Sequence, residues 1–417
     1  MLGELKNLKI LDLTGSYIEE LPKEIGQLTR LRLLDLKDCL ELKVIHPNTI
    51  SSLRSLQELN MKGSFTNWKE VGRNGDRSND LNNVVQELDV EGFPQLKHLH
   101  FKHNHGIQYI VNSMEDDHTR GAFVSLEVTF PKLQNLTLRG SPTLNELWHG
   151  QSEDLLCDEE PACLFSGLKG LTVFELPNLI HIWDKKHRHT NGSASLNLKY
   201  LHVSKCNGLK NLAPSWISFQ NLIFLEVSKC NEMVNLLTLS TAKSLTQLRM
   251  MSVVGCKSMT EIIEDKGSEL GGHDDRIVFD HLLALKLHGL LSLTSFYSGK
   301  STVGFPKLKH VSFARCPNLR SFSHGVVSTP ELHKIVLLHG GQDDDELYNS
   351  GGEFSSSDVD MDWPVTDKEL DFDALDALDD FGNEDDGKPV VELMDADINN
   401  TLSQMWERNQ IGLALQQ

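Results

Sequence analysis

The feature that most constrains this chain is a motif that keeps returning. Leu31, Leu34, Leu36, Cys39, Leu42 and Ile45 set the spacing L-x-x-L-x-L-x-x-C-x-x-L-x-x-I. It returns at Leu198, Leu201, Val203, Cys206, Leu209 and Leu212, and again at Leu222, Leu225, Val227, Cys230, Met233 and Leu236. Further copies run from Leu248 to Ile262, Leu282 to Phe296 and Leu308 to Phe322. With the second apolar position as the mark, twelve copies are found, at Leu11, Leu34, Leu59, Leu99, Leu136, Leu171, Leu201, Leu225, Met251, Leu285, Val311 and Ile335. The intervals run from 23 to 40 residues. A unit this short cannot bury its own apolar face, so copies must stack on one another.

The pattern is that of a leucine-rich repeat, whose usual period is about 20–29 residues. In each copy a short strand buries alternate residues, so the L-x-L pair points inward. The cysteine that follows sits at a buried turn, where a small, weakly polar side chain packs. The predicted fold is an α/β leucine-rich-repeat solenoid over residues 1–341. Its curved parallel sheet forms the concave face, and its convex side is expected to be helical or irregular. Met1 falls at the start of a copy, so no N-terminal cap is expected. Cys39, Cys206, Cys230, Cys256 and Cys316 all occupy the turn position and read as reduced structural thiols. Cys157 and Cys163 lie in an acidic insertion with no zinc-type spacing.

Charge divides the chain in two. Residues 342–417 hold 22 Asp/Glu against three Lys/Arg, which accounts for the whole formal charge of −19. The repeats are therefore balanced. They offer no global field for nucleic acid, and the tail repels it. The tail opens on Asp343-Asp344-Asp345-Glu346 and is rich in Ser, Gly and Asp, which predicts disorder. Within it, Leu370, Phe372, Leu375, Leu378 and Phe381 interleave with acidic residues. That is the pattern of a solubilising tail or of a docking segment. Ile398, Leu402, Met405 and Trp406 share one helical face behind a candidate N-cap, Asp397, which predicts a short amphipathic helix over 397–409. No apolar run approaches the ~18 residues of a transmembrane helix, and MLGELKNLKI lacks a signal-peptide pattern.

Several segments resemble one family. They are IEELPKEIGQLTRLRLLDLKDCLELKVI (Ile18 to Ile45), EGFPQLKHLHF (Glu91 to Phe101) followed by Tyr109-Ile110-Val111-Asn112, LLTLSTAKSL (Leu236 to Leu245), CPNLRSFSHGVVSTPELHKI (Cys316 to Ile335) and DINNTLSQMWE (Asp397 to Glu407). These resemble the repeats of plant coiled-coil nucleotide-binding immune receptors, the disease-resistance proteins. The resemblance implies a cytoplasmic sensor, with the nucleus or the periphery of the plasma membrane as other locations. Its partners would be a pathogen effector or a guarded host protein, together with the receptor's nucleotide-binding switch, which this chain does not contain. The competing reading is a generic repeat adaptor, such as a substrate-recognition subunit of a ubiquitin ligase.

No catalytic constellation stands out, so an enzyme is not expected, and neither is a cofactor or metal. Ser298-Gly299-Lys300-Ser301-Thr302 looks like half a phosphate-binding loop, but Thr294 stands where its first glycine belongs. His98, His100, His103 and His105 invite a metal reading, but nothing in the spacing brings them together with a carboxylate. The predicted functional surface is the concave sheet. Its middle column reads Asp12, Asp35, Asn60, His100, Thr137, Thr172, His202, Glu226, Ser252, Lys286, Ser312 and Val336. Phe174, Phe224, Met250 and Val254 flank it and form an apolar patch. The candidate protein-binding residues are therefore Asp12, Asp35, His100, Phe174, His202, Phe224, Glu226, Met250, Val254 and Lys286.

Overall fold

The computed structural model describes residues 2–64, 94–102, 109–112, 131–149, 167–183, 194–264, 276–338, 390–392 and 398–402, apart from a few single positions. One strand per copy of the motif lines the concave face. These are β1 (Ile10–Asp12), β2 (Leu33–Asp35), β3 (Glu58–Lys62), β4 (His98–Lys102), β5 (Asn135–Arg139) and β6 (Gly170–Phe174). They continue as β7 (Tyr200–Ser204), β8 (Phe224–Ser228), β9 (Met250–Val254), β10 (Ala284–His288), β11 (His310–Ala314) and β12 (Lys334–Leu338). All twelve pair in parallel, and the register joins the marked residues in one unbroken row: Leu11 with Leu34, Leu34 with Leu59, and so on to Val311 with Ile335.

The row exists because a slip of one residue would turn every inward leucine to solvent. Leu34, Leu59, Leu201, Leu225 and Met251 are fully buried, and so is the following inward column of Leu36, Val203, Val227 and Val253. The turn cysteines also lie where the motif places them. Cys39 Sγ donates to Leu13 O at 3.1 Å and Cys316 Sγ to Leu287 O at 3.3 Å, each bridging to the preceding copy. Cys39, Cys206, Cys230, Cys256 and Cys316 are free thiols. Burial pushes Cys316 up to about 11, and the hydrogen bond with Cys206 pushes Cys230 up to about 12. Neither is a thiolate near neutral pH.

Just past each strand, ten described positions hold a left-handed backbone: Gly15, Asp38, Gly63, Gly140, Glu175, Lys205, Lys229, Gly255, Gly289 and Arg315, with φ between 49° and 79°. The turn extends the ladder by one bond. Lys205 N donates to Ser228 O, Lys229 N to Val254 O and Gly255 N to His288 O. At Gly255 (φ +69°) an added Cβ would come no nearer than 3.4 Å to any atom, so the cost of a side chain is conformational, not steric. We expect Gly255→Ala to destabilise the protein by about 1–2 kcal/mol, the penalty for an L-residue in that region. Urea unfolding of Gly255→Ala beside wild type checks this, and an unchanged midpoint would refute it.

The side expected to be helical or irregular contains short parallel ladders instead. Asn235–Thr238, Glu261–Glu264 and Ser295–Tyr297 form one; Ile277–Val278, Val303–Gly304 and Val327–Ser328 form another. Helix α1 (Leu239–Ser244) is only six residues long and is capped by Thr238. Copies of 24 to 26 residues leave little room for longer helices, and apolar runs such as Ile262–Ile263 are fully buried as strand. The segment Ser298–Thr302 connects two of these short strands, so no helix follows it.

The C-terminal region departs from expectation. Val390–Glu392, placed by the sequence inside an unstructured tail, forms β13 and pairs antiparallel with β12, Val336 opposite Val390. It covers the outer edge of the sheet, whose unpaired backbone groups favour such an addition. Ile398 and Leu402 are buried against the core, as the predicted helix requires. Asp397, Met405, Trp406, Cys157, Cys163, His103, His105 and the acidic–apolar run at 370–381 lie outside the described residues.

Candidate protein-binding face

The parallel register turns the concave face into a grid. Each five-residue strand presents its first, third and fifth side chains, and neighbouring strands stand about 4.8 Å apart. The predicted middle column is reproduced: Asp12 is paired with Asp35, Thr172 with His202, His202 with Glu226, Glu226 with Ser252, and Ser252 with Lys286.

The two ends of that column do different work. In the first copies the polar groups serve the backbone. Asp12 Oδ1 accepts from Thr14 N at 2.8 Å, Asp35 Oδ1 from Lys37 N at 2.8 Å, and Asn60 Oδ1 from Lys62 N at 3.2 Å. The hydrogen bonds from Thr14 hold the Asp12 carboxyl below its ordinary range. Asn60 Nδ2 also donates to Asp35 Oδ2 at 3.2 Å. These are turn-forming Asx groups, a structural duty the sequence reading did not assign. In β4, His98 is half-buried and its Nδ1 lies 3.0 Å from Asn135 Nδ2. Burial, helped by His100 and Lys97, lowers it to about 4, so the ring is neutral and takes that bond as acceptor. Among the described residues no group of three or more His, Cys, Asp or Glu could hold a metal ion.

From β5 to β9 the side chains interact with each other. Phe174 lies between two cations: the Arg139 guanidinium is 4.2 Å from its ring centroid and Lys205 Nζ is 4.9 Å. His202 meets its edge at 6.4 Å and 67°. Lys205 Nζ pairs with Glu175 Oε1 at 2.6 Å, whereas Arg139 Nε lies 3.8 Å from Glu175 Oε2. Arg139 Nε is buried with no hydrogen-bond acceptor. Burial and the Arg139 charge lower His202, against the pull of Glu226, which leaves a neutral imidazole. Further along, burial and Lys286 lower His288 to about 3, and its Nε2 lies 2.7 Å from Ser312 Oγ.

The apolar patch is larger than predicted. The first column places Tyr200 beside Phe224 and Phe224 beside Met250, all half-buried, and Gly170 precedes them. Burial raises the Tyr200 phenol, with Arg249 acting against it. Phe174 and Val254 lie in the fifth column, across the strands from this row. Tyr200, Arg139, Lys205 and Glu175 are the site residues that the sequence reading missed. Tyr200 is readable once the first column is aligned as the middle one was. The other three show themselves only through contacts between copies.

The twelve-strand parallel ladder defines a leucine-rich-repeat protein. A family described as leucine-rich repeat region matches residues 1–183, and one described as plant disease resistance protein RPS2-like, leucine-rich repeats, matches residues 215–336. Residues 215–336 are therefore similar to the leucine-rich repeats of plant disease-resistance proteins. Two Arabidopsis thaliana relatives agree. Disease resistance protein RPS4B is 47% identical over 58 residues, 14% of this chain and 5% of that protein. Disease resistance protein At4g27190 is 39% identical over 71 residues, 17% of this chain and 7% of that protein. The matched segments span only a small part of either relative. Among solved structures, a Leptospira interrogans leucine-rich-repeat protein aligns over 79% of this chain and 93% of its own at 16% identity, with a TM-score of 0.17. The plant peptide hormone receptor RGFR1 in complex with RGF2 aligns over 82% of this chain and 80% of its own at 14% identity, with a TM-score of 0.12. At such scores the superpositions carry no argument, and the fold rests on the ladder itself. No described helix is long and apolar enough to cross a membrane.

Proposed function

We propose that the concave face from β6 to β9 is the protein-recognition surface of a plant immune sensor. It takes a pathogen effector or a guarded host protein and passes that occupancy to a nucleotide-binding switch elsewhere in the receptor. It acts in the cytoplasm by binding, without catalysis. The observation that carries this reading is the row Tyr200–Phe224–Met250, three large, half-buried side chains side by side on a rigid sheet. Large anchors held in place by a scaffold lose little entropy on binding and make the strongest contributions at protein interfaces. The disease-resistance-type repeats support the immune reading over a ubiquitin-ligase adaptor.

The test is affinity for an effector or host protein that the intact receptor recognises. Phe224→Ala should weaken binding by about 2 kcal/mol, roughly thirtyfold, as expected for a central anchor. A substitution on the opposite side, Glu264→Ala, should change nothing. Equal affinity of Phe224→Ala and wild type would refute the assignment of this face.

A further inference from the structure

Basic side chains line both rims of the same part of the sheet. On the leading rim, one residue before the strands, stand Lys169, Lys199 and Arg249. Their main-chain carbonyls hold the next copy: Lys169 O accepts from Lys199 N and Tyr200 N, and Arg249 O from Leu283 N and Ala284 N. On the trailing rim stand Arg139, Lys205 and Lys229. The last two occupy the left-handed turns, with φ of 55° and 53°, a backbone state that costs a lysine energy and fixes where its side chain departs. Lys229 runs towards the side-chain-free Gly255, its Cγ 3.4 Å from where a Cβ would stand.

Between the rims the floor has three columns: Tyr200, Phe224 and Met250 in the first, Thr172, His202, Glu226 and Ser252 in the middle, and Phe174, Ser204 and Ser228 in the fifth. Two of these groups already satisfy each other, Ser228 Oγ donating to Ser204 Oγ at 2.7 Å. Among the described residues of β5 to β9 and the two rims, six basic groups stand with two carboxylates, Glu175 and Glu226. Glu175 is engaged with Lys205 at 2.6 Å, and it leaves Arg139 without a hydrogen bond at Nε. The repeats as a whole carry no net charge, so this local excess is a property of the trough.

We infer that the trough between these rims binds an acidic segment of a partner protein that also carries an apolar side chain, its carboxylates reaching Arg139 and the rim lysines while the apolar group rests on Phe224. The inference rests on the reading of the concave face as a protein-binding surface and adds the chemistry of the partner. Charge complementarity selects the occupant. A single-stranded nucleic acid would bring a phosphate at every step past Glu175 and Glu226. A peptide can place its carboxylates at the rims alone. Two groups of different character, apolar on one side and anionic on the other, also fix the direction in which the segment lies.

The experiment pans a random peptide library against the full-length chain and measures the selected peptides on variants of that chain. The selected peptides should share Asp or Glu together with an aliphatic or aromatic residue. Their affinity should fall with salt. It should drop about tenfold or more in Arg139→Gln/Lys229→Gln, since exposed charge pairs add modestly and removing two compounds the loss. Peptides that need Phe224 but show no acidic preference, and that bind the double variant unchanged, would overturn the inference and leave the protein-binding face intact. Peptides indifferent to both Phe224→Ala and Tyr200→Ala would overturn both. An oligothymidylate that competes as well as the selected peptides would assign the trough to nucleic acid and overturn the inference. So would a gain in peptide affinity on Asp371→Asn/Asp373→Asn/Asp376→Asn, because the chain's own acidic segment would then be the occupant.

Discussion

Phe296→Ala is expected to cost about 3–5 kcal/mol, the upper range for emptying a buried aromatic site. Phe296 is fully buried in a cluster contributed by successive copies. It stacks on Phe322 at 4.6 Å and 10°, while Phe279 stacks on Phe305 at 5.2 Å and 4°. The two stacks meet edge to face: Phe296 lies 6.0 Å from Phe279 and 5.7 Å from Phe305, and Phe305 lies 5.7 Å from Phe322. Removing the ring loses three aromatic contacts at once, and edge-to-face or offset pairs add to the value of simple burial. The site cannot collapse to fill the space, because the rings on either side are held by different copies whose strands are already paired. The damage should also be local, since a solenoid's stability is a sum of unit and neighbour terms. Hydrogen exchange in residues 284–328 should accelerate while β2 and β3 keep their protection. Phe296→Leu, which preserves most of the volume, should cost less than about 1.5 kcal/mol. A loss below 1 kcal/mol in urea unfolding of Phe296→Ala would show that the ladder is decoration and not core.

The repeat was legible because stacking in register makes every copy supply the same kind of residue at the same place. A single apolar spacing could thus be checked twelve times along the chain, and each marked residue pairs with the next. Alternation also separated Phe224 and Met250 from buried Leu225 and Met251. What escaped the sequence depends on backbone or on contact between copies. Gly255 and Gly289 announce a left-handed turn, but Glu175, Lys205 and Lys229 adopt the same state without any compositional sign. Asp12 and Asp35 read as acidic surface, yet they accept hydrogen bonds from the backbone two residues on. The clamp of Arg139 and Lys205 on Phe174 joins residues 31 to 66 positions apart, so no local pattern records it. β13 is only three residues long and follows a stretch with no repeat at all.

Asn399→Ala should open the C-terminal end of the solenoid. Its carboxamide imitates a neighbouring main chain. Oδ1 accepts from Phe322 N at 2.8 Å and Ser323 N at 3.1 Å, and Nδ2 donates to Ser323 O at 3.1 Å. Among the described residues no later copy of the motif bonds to these backbone groups. Flanking it, Ile398 and Leu402 are buried to 1% and 3% exposure and carry the apolar part of the contact. Alanine keeps the helix but leaves two N–H groups and a carbonyl without these bonds. At about 1 kcal/mol for each partly buried hydrogen bond lost, the cost is roughly 2–3 kcal/mol. Asn399→Asp retains the acceptor and loses the donor, so it should fall between alanine and wild type. The amides of Phe322 and Ser323 report directly, because their exchange is limited by release of this side chain. In Asn399→Ala they should exchange faster, and β12 should follow as β13 loses the anchor that holds it on the edge. Ile398→Ala supplies the contrast, since it weakens the same docking without removing a single hydrogen bond to residues 322–323. If both amides stay protected in Asn399→Ala while Ile398→Ala releases them, the segment is held by apolar burial and the carboxamide is incidental.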